Sequence, residues 1–258
     1  MALARLALLG VALSAAIAVA AVRATAASTP FVLTYEGAHS LDSALDGGVR
    51  HDGRFTASGP FCSAGRASDV RHVVANGLLN VFRVYTCDDG SGSFTAFLPN
   101  ARGEHGGTGE WQIVEGTGGY ATLRGIGTYT GTLISGNAND FVTISHRTEW
   151  RGVVGLDADP PTVENVTAAV RKLRLRVPTY TLRIALTGSD SSLPVTYTLD
   201  FRAGRAILDF KRVSTASGRA AVTVRIRPSR AARSVQVLLT ARDALGNETR
   251  TSRAFRLR

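Results

Sequence analysis

Along most of this chain hydrophobic and polar positions alternate in short runs. Val, Thr, Ile, Tyr and Phe recur between breaks of Gly, Asp, Asn and Ser, and after residue 27 no stretch holds a sustained 3.6-residue period. The spacing predicts strands near 31–37, 49–57, 69–75, 78–87, 91–98, 109–115, 119–134 (two strands) and 141–154. In the last of these, Val142, Ile144, His146, Thr148 and Trp150 share one face, and Thr143, Ser145, Arg147, Glu149 and Arg151 the other. Further on, Leu173, Leu175 and Val177 alternate with Lys172, Arg174 and Arg176. Leu182, Ile184 and Leu186 flank Arg183, and Val222, Val224 and Ile226 alternate with Thr223, Arg225 and Arg227. The arginines are therefore expected on solvent faces of sheets. The chain reads as all-β, with about eight strands that suit an up-and-down barrel or a sandwich, then roughly seven more that suit a second sandwich.

The first 27 residues break the pattern. Arg5 precedes an uncharged apolar run from Leu6 to Val22, and Ala24-Thr25-Ala26 follows as a small-residue cleavage site, which reads as an export signal. An uncleaved anchor is the rival reading, because the run nearly reaches spanning length. The acidic, Pro-containing stretch Gly155-Leu156-Asp157-Ala158-Asp159-Pro160-Pro161 marks a boundary. The expected organisation is a signal over 1–27, a β-barrel over 28–155 and a basic β-sandwich over 156–258. Cys62 and Cys87 are the only cysteines, and in an exported chain they read as one disulfide, which gives the barrel its single cross-link. They resemble no zinc pattern and form no C-x-x-C.

Charge divides the chain at the same boundary. Residues 28–155 hold nine arginines against twelve acids, a net of −3, whereas residues 156–258 hold nineteen basic residues against eight acids, a net of +11. Such asymmetry predicts that the basic half associates with an anionic surface or polymer, with Arg174, Arg176, Arg225 and Arg227 as its contacts. The competing reading is codon bias, since only two of the thirty basic residues are lysine. Nucleic acid is disfavoured as a partner, because Tyr180, Tyr197, Phe201, Phe210 and Phe255 fall within apolar runs and build no stacking platform among the arginines.

Candidate chemistry is sparse. Gly116-Thr117-Gly118-Gly119-Tyr120-Ala121 spells a dinucleotide-type G-x-G-x-x-A after a strand, but the residues that follow are too rich in glycine and β-branched side chains to start the helix such a site needs. It reads as a turn at a barrel corner. Turn acids such as Asp42, Asp46, Asp52, Asp88, Asp89 and Asp140 read as caps, and Asp88-Asp89-Gly90 offers too few oxygens for calcium. Of the five histidines, His39, His51, His72, His105 and His146, only His146 falls on a predicted interior face, where a lone histidine is ordinarily a hydrogen-bonded core residue. With Trp111 and Trp150 it is the candidate lining of a cavity. No catalytic residue, metal ligand or cofactor is assigned.

The stretch Trp111 to Gly125, a strand, Gly-Thr-Gly, an aromatic, a small residue and Leu-Arg-Gly, resembles the allene oxide cyclase-like barrels, a group that includes the dirigent proteins. With Cys87-Asp88-Asp89-Gly90-Ser91-Gly92 upstream it also resembles exported bacterial proteins of unassigned function. The resemblance implies an eight-stranded barrel with an apolar interior and transfers no active-site residues. Ala241 to Glu248 resembles the closing hairpin of bacterial immunoglobulin-like domains, which implies an immunoglobulin-like sandwich serving as spacer or adhesion unit. The leading expectation is an exported, non-enzymatic protein whose barrel binds a small apolar ligand or a partner. Alternatives are a cyclase-like enzyme, with Arg124 and Glu115 as further candidates beside His146, and a purely structural spacer.

Overall fold

The computed structural model describes residues 28–136, 144–173, 175–229 and 231–257. Residues 1–27, expected as an export signal, and Val142 and Arg174 lie outside the described residues. Eight strands, β1 (Thr29–Leu41), β2 (Val49–Ser58), β3 (Ala64–Ala75), β4 (Leu78–Cys87), β5 (Gly92–Leu98), β6 (Thr108–Gly118), β7 (Leu123–Ser135) and β8 (Ser145–Leu156), pair antiparallel in sequence order, and β8 returns to pair with β1. The chain thus forms a closed up-and-down barrel. The run predicted as two strands over 119–134 is the single strand β7, because the glycine-rich turn takes up its first residues.

Alternation builds the lumen. On β1, Phe31, Leu33, Tyr35 and His39 point inward, and on β4 Val81, Arg83, Tyr85 and Cys87 do the same. β3 breaks the period at a bulge between Asp69 and Arg71, so that Asp69 and His72, three residues apart, both face the interior. The β3–β4 hairpin closes on Asn76-Gly77, both at positive φ, the residue pair that matches the twist of adjoining strands.

One end of the barrel is sealed. There the Cys62–Cys87 disulfide ties the β2–β3 connection to the end of β4, and Tyr120 Oη accepts from the Cys62 backbone N–H at 2.9 Å and lies 2.9 Å from Ser91 Oγ. Tyr120 belongs to the Gly116–Ala121 turn, where Gly118 has φ 60° and the Tyr120 N–H donates to Thr117 O at 3.0 Å, so this segment is a corner between strands. Above the seal, the Trp111 and Trp150 rings stack 5.3 Å apart, and Tyr85 stacks on Phe94 at 4.9 Å. Gly127 and Gly152 are cross-strand partners beneath Trp111, and a Cβ at either would strike the indole.

The remaining strands, β9 (Thr162–Leu173), β10 (Thr179–Ser189), β11 (Val195–Ala203), β12 (Ala206–Thr215), β13 (Arg219–Ile226), β14 (Ser234–Arg242) and β15 (Glu248–Arg256), form a three-stranded sheet, β13-β10-β9, and a four-stranded sheet, β12-β11-β14-β15. Leu182, Ile184, Val222 and Val224 of the first and Tyr197, Leu199, Val237 and Leu239 of the second make one sandwich-like core. The expected strand through 172–177 is corrected: β9 stops at Leu173, the Leu175 N–H turns back to Leu173 O at 3.0 Å, and Leu175 and Val177 are exposed. Alternation of Leu with Arg there reflects a solvated turn, so Arg176 lies on no sheet face. The β14–β15 turn rests on the barrel. Gln112 on β6 donates to Gly246 O at 3.1 Å, and Arg242 donates to Gln112 Oε1 at 3.2 Å.

A histidine-lined mouth opposite the sealed end

At the end of the barrel away from the disulfide, the lumen turns polar. His39 near the end of β1 pairs directly with His51 at the start of β2, and the two rings stack with centroids 3.8 Å apart. His146 at the start of β8 faces Gly37 across the β1–β8 ladder. Between β5 and β6 a short 3-10 turn, Ala101–His105, dips into the opening and carries Glu104 and His105. It can enter because β7 has Gly131 beneath it, where a Cβ would collide with the carbonyl oxygens of Gly103 and Glu104. All five histidines of the sequence meet here, although only His146 was expected to face inward.

Under the histidines lies a buried ionic group centred on Arg83, which is fully enclosed. Its Nε donates to Asp69 Oδ1 at 2.6 Å, its two terminal nitrogens donate to Glu104 Oε1 at 2.7 Å and Oε2 at 3.0 Å, and NH2 also donates to His51 Nδ1 at 2.8 Å. The guanidinium carbon sits 4.5 Å from the Tyr35 ring centroid. Register makes this possible, since Asp69 and Arg83 are direct cross-strand partners. Asp69 Oδ2 accepts in addition from the His51 backbone N–H at 3.1 Å and lies 2.9 Å from His72 Nε2. The other ring nitrogen of His72 stands 3.0 Å from the backbone carbonyl of Asp46. A carbonyl only accepts, and an ionised carboxylate only accepts, so both His72 nitrogens donate and the ring is an imidazolium.

The charges then balance, Arg83 and His72 against Asp69 and Glu104. Burial pushes the Asp69 carboxyl upward, but the Arg83 charge and the His72 hydrogen bond outweigh it and hold it at about 2. Glu104, equally buried, is held well below the usual carboxylate range by Arg83. Burial lowers His72, but its bond and charge contact with Asp69 win and raise it. His105 goes the other way: burial, then the neighbouring His146 and His51, push it down to about 4. His146 is lowered by burial as well, and neither of its ring nitrogens has a hydrogen-bond partner among the described residues; Glu104 Oε1 is 3.8 Å from Nε2. The buried hydroxyls of Tyr35, Tyr85 and Tyr129 likewise have no hydrogen-bond partner among the described residues.

The mouth opens into a cavity of about 610 Å³. His39, His51, His72 and His105 line it together with Val49, Val74, Leu79 and Ala101, and Asp46 and Arg102 stand among them. Trp111 and Trp150 are not part of that lining; they fill the barrel nearer the sealed end, at 1 % and 0 % exposure. His146 sits behind His51 and His105, with ring centroids 5.1 and 5.4 Å away. Glu115 near the end of β6 and Arg124 at the start of β7 flank the Tyr120 corner at the sealed end, and neither lines the cavity. Arg176, Arg225 and Arg227 are exposed and far along the chain from it.

Asp69, Arg83 and Glu104 were missed. Arg83 had a readable signal, a charge on the same face as Val81, Tyr85 and Cys87. Asp69 and Glu104 had none, since a bulge and an inserted turn put them inside. What fold and site define is an antiparallel eight-stranded barrel with one sealed apolar end and one open histidine-rich end, followed by a sandwich-like pair of sheets. No family model matches this chain, and no curated protein sequence matches it either.

Proposed function

We propose that this chain is an exported binding protein whose barrel takes a small molecule at its histidine-lined mouth. The observation that carries this reading is the cavity of about 610 Å³, whose floor groups imidazoles while its walls carry Val49, Val74, Leu79 and Ala101. That mixture suits a ligand with an apolar body and one polar head, the apolar part on the walls and the head toward the histidines. Behind the floor, the two ring nitrogens of His146 have no hydrogen-bond partner among the described residues. Export is inferred from residues 1–27 and agrees with the disulfide. The resemblance of Trp111–Gly125 to allene oxide cyclase-like barrels, and of Ala241–Glu248 to bacterial immunoglobulin-like domains, is consistent with this division of labour. The exposed arginines of the second half, Arg225 and Arg227 among them, are the proposed contacts to an anionic envelope surface.

Native mass spectrometry of the full chain, purified from an exporting host without detergent, tests the ligand reading. A small-molecule adduct that is lost in Leu79→Trp, which fills the cavity, is the expected result. A bare polypeptide in every preparation would turn the reading toward a structural spacer. Co-sedimentation with envelopes at low and high salt tests the surface contact, which should weaken with salt.

A further inference from the structure

We propose that the end of the sandwich away from the barrel docks on a lipid bilayer with anionic headgroups, its exposed aliphatic side chains entering the acyl boundary. This rests on the surface reading above, and it names the partner and the part of the chain that meets it. Strand direction sorts the connections of the sandwich into two groups. Near the barrel, Ser192 Oγ of the β10–β11 connection donates to Asp157 Oδ2 at 2.5 Å, and Asn247 of the β14–β15 turn donates to Asp157 O at 2.9 Å. The β12–β13 turn reaches the same end, where the Gly188 N–H donates to Gly218 O at 3.0 Å. The β9–β10, β11–β12 and β13–β14 connections and the end of β15 therefore lie at the far end, where the Leu257 N–H donates to Arg233 O at 2.9 Å.

The far end is basic throughout. Lys172, Arg176, Arg205, Arg227, Arg233 and Arg256 are exposed there, and none forms a salt bridge among the described residues. No acidic residue occurs over 165–189, 201–208, 210–242 or 249–258. The first acids back from this end on β11 and β12, Asp200 and Asp209, already face Arg202 at 3.3 Å and Lys211 at 3.5 Å. At the barrel end, by contrast, Arg242 and Arg250 both meet Glu248. Codon bias accounts for arginine in place of lysine, but not for the absence of acids from one end.

Aliphatic side chains stand among these charges. Leu175 and Val177 in the β9–β10 turn are 57 % and 54 % exposed, and Ile207, just past the β11–β12 turn, is 65 % exposed. A dissolved polyanion would hold the guanidinium groups but offer the aliphatics nothing. A bilayer serves both, because lipid phosphates accept from arginine forks and the layer beneath them is apolar, so electrostatic attraction and buried area add. That combination favours a membrane over a wall polymer. The contacts with the barrel lie at the other end of the sandwich, which leaves this one free to meet it.

The test sediments the exported chain, freed of residues 1–27, with vesicles of phosphatidylcholine alone and of phosphatidylcholine with about one-third phosphatidylglycerol. Binding is expected to the anionic vesicles only, and it should weaken with salt. Arg176→Ser together with Arg227→Ser should weaken it by roughly 5-fold per charge removed. Leu175→Ser together with Val177→Ser should weaken vesicle binding by at least about 10-fold and leave binding to soluble inorganic polyphosphate unchanged. In Leu175→Trp the added indole should shift its emission to the blue on anionic vesicles and be quenched by bromine-labelled acyl chains. No binding to anionic vesicles, or undiminished binding by the Leu175→Ser, Val177→Ser chain, would overturn the membrane site. Parallel sedimentation with isolated cell-wall polymer separates the two levels of the reading. A chain that binds wall polymer but not vesicles removes the bilayer and keeps the anionic-surface contact, and a chain that binds neither removes both.

Discussion

The two ends of the barrel are built from the same eight strands and reach stability by opposite means. At the sealed end, Trp111, Trp150, Tyr85 and Phe94 stack, and the Cys62–Cys87 disulfide and Tyr120 lock the connecting turns. At the mouth, a buried arginine holds two carboxylates and five histidines crowd above them. Apolar packing is indifferent to pH and to partners. A buried ionic group is not, because each charge depends on its neighbour and desolvation is costly when one is lost. The difference teaches that this barrel spends its packing energy at one end and keeps the other chemically responsive.

The sharpest way to break the comparison is to remove the central group of each end. Arg83→Leu should cost about 3–5 kcal/mol, as expected when a buried ion group loses one partner. Trp150→Ala should cost a similar ~3–5 kcal/mol through the cavity it leaves. Urea unfolding at two pH values separates them. The Arg83→Leu loss should shrink in acid, where the stranded carboxylates are neutralised by protons, and the Trp150→Ala loss should not. Equal pH dependence for both would erase the distinction between the ends.

Removing the disulfide with Cys62→Ser and Cys87→Ser comes next, at roughly 3 kcal/mol for a loop of this length in the chain-entropy model. Hydrogen exchange should show the added opening at the β2–β3 and β4–β5 turns, with the mouth strands less affected. Acid alone probes the mouth. Asp69 is held at about 2 against an ordinary 3.8, so its contribution is fully present above about pH 4 and is lost as pH falls through 2. That amounts to about 2 kcal/mol, and Glu104, lowered in the same sense, adds to it. Thermal melts between pH 5 and pH 2 should show a decline that Asp69→Asn makes shallower, with the remainder belonging to Glu104 and the lowered histidines. The smallest effect belongs to His146→Leu. Its two ring nitrogens, without a hydrogen-bond partner among the described residues, pay a desolvation cost, so an apolar side chain of similar size should raise stability by about 1 kcal/mol in the ligand-free chain. A loss instead would mean that the two nitrogens are satisfied in solution.

Much of the fold was legible. The alternation of Phe31, Leu33 and Tyr35, of Val222, Val224 and Ile226, and the turn residues around Asp88-Asp89-Gly90 and Gly116-Thr117-Gly118 place strands and corners from local chemistry alone. The pairing of Cys62 with Cys87 followed from there being no other cysteine. Less of the site was legible. His39 and His51 do follow the inward parity of Tyr35 and Phe55, but His39 falls beyond the predicted strand 31–37, and burial near strand ends depends on how the barrel closes.

By itself the sequence determined that the chain is all-β, where most strands run, which two cysteines join and how the charge divides. These properties are local or compositional, and short-range sterics and side-chain period suffice for them. Only tertiary structure decided that five histidines scattered from 39 to 146 share one end, that a bulge turns both Asp69 and His72 inward, and that Glu104 enters the lumen over Gly131. Those outcomes depend on register around a closed sheet and on which turn can dip between strands, and they are set by contacts between residues far apart in the chain.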